Sequence, residues 1–215
     1  MTVARHIIGA ARRLVRDDQG SALVEFAIVL PLFLLLFFGL IDFGRMGGDF
    51  TFANKAVQRA ARIAVVRPPV CNSVPLTNAR GTVPPGTVPP RFGTSCTAGG
   101  SICAVPTAAV CTGQVGNATS DEIWAEVGPL LPAGATPANL RYTYTFDPAL
   151  NFLGGPYVPV VKVEITNLQF TFVSPLGALA ALAGAATGSG MSGTVTFPAM
   201  TMTLPGEDLA LGNNG

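Results

Sequence analysis

The chain has 215 residues, of which 49% are hydrophobic and 12% charged, and its formal net charge is +1. Soluble domains carry about 25% charged residues, so charge-driven disorder is excluded. With no basic excess to neutralise phosphates, nucleic acid is not an expected partner. The length suits one domain, or one domain with an appendage.

Residues 1–20 form a basic leader. Ile7, Ile8, Ala11, Leu14 and Val15 recur at helical spacing, with Arg12, Arg13 and Arg16 between them. Two readings stand side by side: an amphipathic helix on the inner membrane face, and a flexible basic tail.

Residues 21–41 are the expected transmembrane helix. From Phe26 to Ile41 no residue is charged, and extension back to Ser21 adds only Glu25. About 20 apolar residues cross a bilayer core as a helix. A basic stretch followed by an apolar one is also the order of a secretory signal. Here the apolar run is long and no A-x-A-like site follows it, so a retained anchor is favoured. Arg5, Arg12, Arg13 and Arg16 precede the span, whereas Arg45 after it is balanced by Asp42 and Asp49. This asymmetry places the N-terminus in the cytoplasm and the remainder outside. The apolar run Leu176–Gly188 is short and Gly-rich, and is expected as a buried helix or packed loop rather than a second span.

Two residues in the span draw notice. Glu25 lies about 6 Å along the helix from the start of the span. A carboxylate there is a functional candidate with a partner; equally, it snorkels to the nearby headgroups. Pro31 removes one backbone hydrogen bond. That gives either a loosened segment that helps extraction from the bilayer or a tolerated kink.

Residues 42–67 continue the helix. Phe50, Ala53, Val57, Ala60, Ala61, Ala64 and Val65 fall near i, i+3, i+4, i+7 spacing, while Lys55, Gln58, Arg59 and Arg62 mostly take the other face. Pro68 and Pro69 stop it. A helix over residues 21–67 is about 70 Å long, of which about 30 Å lies in hydrocarbon. The rest forms a stalk or packs on the exported domain. Gly39, Gly44, Gly47 and Gly48 predict a break or bend near the membrane exit.

Residues 68–119 read as a Pro/Gly/Cys-rich loop, with TVPP repeated at Thr82–Pro85 and Thr87–Pro90. Cys71, Cys96, Cys103 and Cys111 all fall on the exported side and read as two disulfides. Three pairings are open. The nested one, Cys96–Cys103 inside Cys71–Cys111, is the one expected. Their spacing matches no zinc pattern and no His is near, so no metal is expected; His6, in the leader, is expected to be inert.

Residues 120–215 read as a small α+β domain. Ser120 is the expected N-cap of a helix over 120–131 that Pro129 ends or kinks. Asp121, Glu122 and Glu126 read as its solvated face. Strand patterns follow at Leu140–Phe146, with Tyr142, Tyr144 and Phe146 on one face, within Val158–Val173, and at Gly193–Leu204. They predict an antiparallel sheet packed on the C-terminal part of the long helix. Residues 206–215 read as a frayed end. No G-x-S-x-G, Walker loop or H-E-x-x-H occurs, so neither enzymatic activity nor a cofactor is expected.

The segment Gly20-Ser21-Ala22-Leu23-Val24-Glu25-Phe26 resembles the processing motif of Flp-class type IV pilins and their pseudopilins. The wider stretch is similar to the TadE/TadG-like family, through Gly20, the Glu25-Phe26 pair, Pro31 and Ala60-Ala61-Arg62. The resemblance covers about residues 16–67 and implies a minor pseudopilin of the tight-adherence (Flp) pilus assembly machine. Such a protein is single-pass in the bacterial inner membrane, with a periplasmic C-terminal domain. A prepilin peptidase would cut between Gly20 and Ser21, and Glu25 would pair with the α-amine of a neighbouring subunit. Implied partners are the membrane, the prepilin peptidase, other pilins or pseudopilins and the assembly machine. TadG-like members are simply anchored and often carry an Asp-x-Ser-x-Ser adhesion motif, which is absent here; the TadE-like side is therefore favoured. The alternative is a permanently anchored, unprocessed extracytoplasmic binding or adhesion module.

Overall fold

The structure, a computed structural model, describes residues 19–174, 194–207 and 209, with only the helical backbone for residues 19–21. The expectations for residues 1–18, for Leu176–Gly188 and for the tail beyond Leu209 lie outside the described residues.

The first helix, α1, spans Gln19–Ala64. It begins two residues before the expected start and ends three short of the expected end. Arg62 lies in its last turn, where a cation complements the helix dipole. The chain then tightens, with Val66 N donating to the Ile63 carbonyl at 3.2 Å, before Pro68 and Pro69. The break expected at the glycines does not occur: the helix is continuous through Gly39, Gly44, Gly47 and Gly48. Glycine in a helix costs only about 1 kcal/mol relative to alanine, and it keeps the N–H that the ladder needs.

The chain divides into two compact units, one of Met1–Arg45 with Thr171–Thr194, the other of Met46–Phe170 with Val195–Gly215. Within the second unit, α1 buries Ala53, Ala56, Val57, Ala60, Ala61 and Ala64. The same unit holds a four-stranded antiparallel sheet of β1 (Ala109–Thr112), β2 (Leu140–Phe146), β3 (Pro159–Ile165) and β6 (Met200–Pro205), in the order β1-β2-β3-β6. Its inner face buries Leu140, Tyr142, Tyr144, Val161, Val163, Ile165 and Met200. Phe146, expected to join Tyr142 and Tyr144, is only half-buried and stacks on Tyr157. β4 (Gln169–Thr171) and β5 (Thr194–Thr196) form a separate two-stranded sheet.

On the outer sheet face Arg141 stands opposite Glu164. Arg141 Nε donates to Glu164 Oε2 at 2.8 Å, and Lys162 Nζ lies 3.1 Å from Oε1. Burial disfavours the ionised Glu164, but the hydrogen bonds and charges of Lys162 and Arg141 outweigh it and hold the carboxyl below its ordinary value.

Three elements differ from the sequence reading. β1 lies inside the segment read wholly as loop, because Ala109–Thr112 pairs with Arg141–Tyr144, a partner remote in sequence. The second helix, α2 (Ala118–Val127), is capped by Asn117 and not by Ser120; the Asn117 side chain accepts from Ser120 N at 3.0 Å. Ser120 is instead buried inside the helix, its Oγ accepting from Gln114 N. Pro129 does end this helix, in a 3-10 turn at Gly128–Leu130. The alternating run Gly193–Leu204 is split into β5 and β6, since Phe197 turns inward, its N–H bonding the Leu168 carbonyl, and Pro198 lacks a donor.

The Pro-rich segment is held by scattered main-chain bonds rather than by a ladder. Asn78 N donates to the Gly155 carbonyl at 2.9 Å, Cys96 N to Asn151 at 3.0 Å and Leu153 N to Thr94 at 2.9 Å. Asn151, 1% exposed, anchors this region: its amide donates to the Asp147 and Val158 carbonyls, and its Oδ1 accepts from Asn78 Nδ2 and Val158 N. At Gly81 an added Cβ would lie 2.4 Å from the Ser101 carbonyl oxygen, so only glycine permits the approach. Disulfides join Cys71 to Cys111 and Cys96 to Cys103, closing sequence separations of 40 and 7. Loop-closure entropy makes the longer one worth about 4 kcal/mol and the shorter about 2 kcal/mol.

Two core tyrosines behave oppositely. The Tyr144 hydroxyl accepts from Val70 N at 3.1 Å, and burial pushes its pKa up to about 12. The Tyr142 hydroxyl is equally buried but has no hydrogen-bond partner among the described residues. Tyr144→Phe is therefore expected to lower stability by about 1–3 kcal/mol, because it strands the Val70 N–H, whereas Tyr142→Phe should be neutral or stabilising. Thermal unfolding followed by near-UV circular dichroism distinguishes them; the reverse ranking would contradict this assignment of the hydrogen bond.

Candidate functional site

The candidate site begins at the start of α1. Gly20 and Ser21 both lie in the helix. Glu25 and Phe26 are exposed, Phe26 at 60%. Ser21 and Glu25 are i, i+4 neighbours, so they share a face, about 6 Å apart along the axis. Phe26 projects about 100° further round. Pro31 is accommodated inside the helix. Lacking an N–H, it leaves the Ala27 carbonyl without its ladder donor.

The helix around these residues is bare. Leu23, Val24, Ile28, Val29, Phe33 and Leu36 are all well exposed. Helical spacing distributes such a run over every side of the cylinder, and a helix apolar all round needs cover by protein or lipid. It is long and apolar enough to cross a membrane, by length and composition. Phe33 stacks on Phe37 with ring centroids 6.0 Å apart, a contact along one side of the helix itself.

A second feature was not anticipated. Asp42 ends the apolar run, and the sequence offers it only as a balancing charge. In the structure it is 1% exposed, while its neighbours Ile41 and Phe43 are 46% and 57% exposed. Ser174 N donates to Asp42 Oδ2 at 3.1 Å, and the Ser174 hydroxyl donates to the same oxygen. Val173 N reaches Oδ1 at 3.5 Å and Arg45 Nη1 at 3.3 Å. Both carboxylate oxygens are thus engaged. Phe172 sits edge-on to Phe43, centroids 5.8 Å apart. Phe38, Ile41, Asp42, Arg45, Val173 and Ser174 line a cleft of about 400 Å³. The only sequence signal was position: the first charge after a long apolar run has to be satisfied somehow. Its partner, 132 residues away in the chain, carries no local signature.

Elsewhere the four cysteines are consumed in disulfides. Beside Cys71–Cys111 lies a polar cleft of about 250 Å³ that includes Asn72, Ser73, Gln114 and Asn117. Among the described residues no group of three or more His, Cys, Asp or Glu is placed to hold a metal ion. Glu122 and Glu126 are exposed and paired, with Arg67 and Arg59 at 2.9 Å and 3.5 Å. Such surface pairs contribute little.

Residues 20–62 match the family model described as TadE-like protein. The match starts at Gly20 and takes in Glu25, Phe26, Pro31, Asp42 and the Ala60-Ala61-Arg62 end of the helix. No curated protein and no solved structure matches the chain.

The Asp42 arrangement yields a direct test. Asp42→Asn keeps the shape but loses a charged acceptor worth about 1.5–3 kcal/mol. Hydrogen exchange at the Ser174 amide is expected to accelerate at least about tenfold, since each 1.4 kcal/mol is a factor of ten. An unchanged exchange rate would show that the carboxylate does not hold this segment.

Proposed function

We propose that the protein is a membrane-anchored, TadE-like pseudopilin that takes part in assembly of a tight-adherence (Flp-type) pilus. What supports this most is that the TadE-like match begins on the stretch of α1 whose apolar side chains, Leu23, Ile28, Phe33 and Leu36 among them, are exposed. In this reading residues 21–41 cross the bacterial inner membrane once. Arg5, Arg12, Arg13 and Arg16 keep the N-terminus cytoplasmic, and residues after the span lie in the periplasm, where the disulfides form.

A prepilin peptidase cuts between Gly20 and Ser21 and frees an α-amine. The amine and the Glu25 carboxylate then lie on one helix face, close to hydrocarbon. Opposite charges at that depth cost less paired than alone, so the Glu25 of one subunit engages the amine of another and sets their stagger. Phe26 marks the site for recognition beside it. The gap that Pro31 leaves at the Ala27 carbonyl loosens the helix for withdrawal from lipid. The bare apolar surface that faces lipid before assembly faces other subunits afterwards.

A second reading is an unprocessed, permanently anchored extracytoplasmic binding module. The observation that favours it is the disulfide-closed, Pro-rich segment, which leaves Val88 92% and Phe92 75% exposed.

Mass spectrometry of the membrane-extracted protein separates the two. The pseudopilin reading expects a chain that starts at Ser21; an intact leader in cells with an active prepilin peptidase contradicts it and favours the second. Glu25→Ala should leave cleavage intact but reduce piliation roughly tenfold or more, the factor that about 1.4 kcal/mol of lost pairing produces. Normal piliation would remove Glu25 from the assembly step.

A further inference from the structure

We propose that Phe172–Ser174 is a second membrane contact, a segment that Asp42 holds at the boundary between acyl chains and headgroups. This rests on the reading that residues 21–41 span the bilayer. If they do, Asp42 marks the level at which the helix leaves hydrocarbon, because it is the first charged residue after the run Phe26–Ile41.

The geometry then fixes the depth of the segment. Ser174 N and Val173 N lie 3.1 Å and 3.5 Å from the Asp42 carboxylate, so residues 173–174 sit within a few ångströms of its level. A carboxylate at a lipid boundary loses water and needs protein donors in its place. Asp42 has them: two backbone amides, one hydroxyl and the Arg45 guanidinium. Such full internal satisfaction is unnecessary for a side chain one helical turn into bulk water.

The outward surface of the clamp is apolar. Val173 is 74% exposed and Phe43 57% exposed, and Phe172 lies against Phe43. Phe38 and Ile41, which belong to the apolar run, line the same cleft as Val173. The patch is therefore continuous with the lipid-facing surface of the span. In sequence, residues 175–193 carry no charged side chain to draw this part of the chain away from the interface. The occupant that matches an apolar patch rimmed by the half-exposed Arg45 and joined to a transmembrane surface is the bilayer boundary, entered by about 5–10 Å.

The test uses the full chain in phosphatidylcholine proteoliposomes, with Trp124→Phe removing the native fluorophore and one tryptophan introduced at a time. Val173→Trp should be quenched by lipid brominated at shallow acyl positions at least about threefold more than Val110→Trp, as expected for a side chain at the acyl boundary. Leu36→Trp, within the span, reports on the anchor. Strong quenching of Leu36→Trp with Val173→Trp no better quenched than Val110→Trp overturns the contact but keeps the span. Absence of quenching at Leu36→Trp overturns the span, and the contact with it. Shielding of Val173→Trp that grows with protein-to-lipid ratio would place a second copy there and also overturn the proposal. Adding Asp42→Asn to Val173→Trp should lower its quenching toward the Val110→Trp level; unchanged quenching would show that Asp42 does not set the depth.

Discussion

The dominant constraint on this chain is a helix that is apolar on every side over some twenty residues. Each fully exposed Leu, Ile, Val or Phe forgoes about 1.5–3 kcal/mol of burial, and the first part of α1 exposes Leu23, Phe26, Ile28, Phe33, Leu36 and Leu40 among others. The deficit is comparable with the whole net stability of an ordinary domain, about 5–15 kcal/mol. Among the described residues this surface is exposed. It is the surface of a helix long and apolar enough to cross a membrane.

Further along, the same helix follows a different pattern. After Met46 the apolar positions narrow to one stripe, and that stripe is mostly alanine. Ala53, Ala56, Ala60, Ala61 and Ala64 are fully buried, as are Tyr142 and Tyr144 on the inner face of the sheet. The core of this unit thus combines small residues on the helix with large ones such as Leu140, Tyr142, Val161 and Ile165 on the strands. Where the chain has no regular ladder, two disulfides and the Asn78–Asn151 pair take over. These are devices suited to a segment too rich in proline to supply its own backbone donors.

Much of this was legible in the sequence where the controlling interactions are local. The long helix announces itself by hydropathy and by the Pro68-Pro69 stop. Leu140–Phe146 appears as a strand with the bounds that its alternation predicts. The misses share one cause, a partner remote in the chain. Ala109–Thr112 is an edge strand only because Arg141–Tyr144 lies beside it. Gly193–Leu204 is divided because Phe197 bonds Leu168. Asp42 looked like a spare charge because Ser174 could not be foreseen. The break expected at Gly39, Gly44, Gly47 and Gly48 fails for another reason: the cost of glycine is real but small against a continuous hydrogen-bond ladder. At the candidate site, Glu25 and Pro31 were readable as chemical oddities in an apolar run and Phe26 only through the family resemblance, whereas Asp42 required the fold.

All of these readings depend on the anchor being in lipid. The most direct measurement is the partition of the full chain after alkaline carbonate washing of cell membranes. The account predicts that the protein stays with the membrane pellet and is released only by detergent. Release into the carbonate supernatant, or a monodisperse chain purified without detergent, would contradict it.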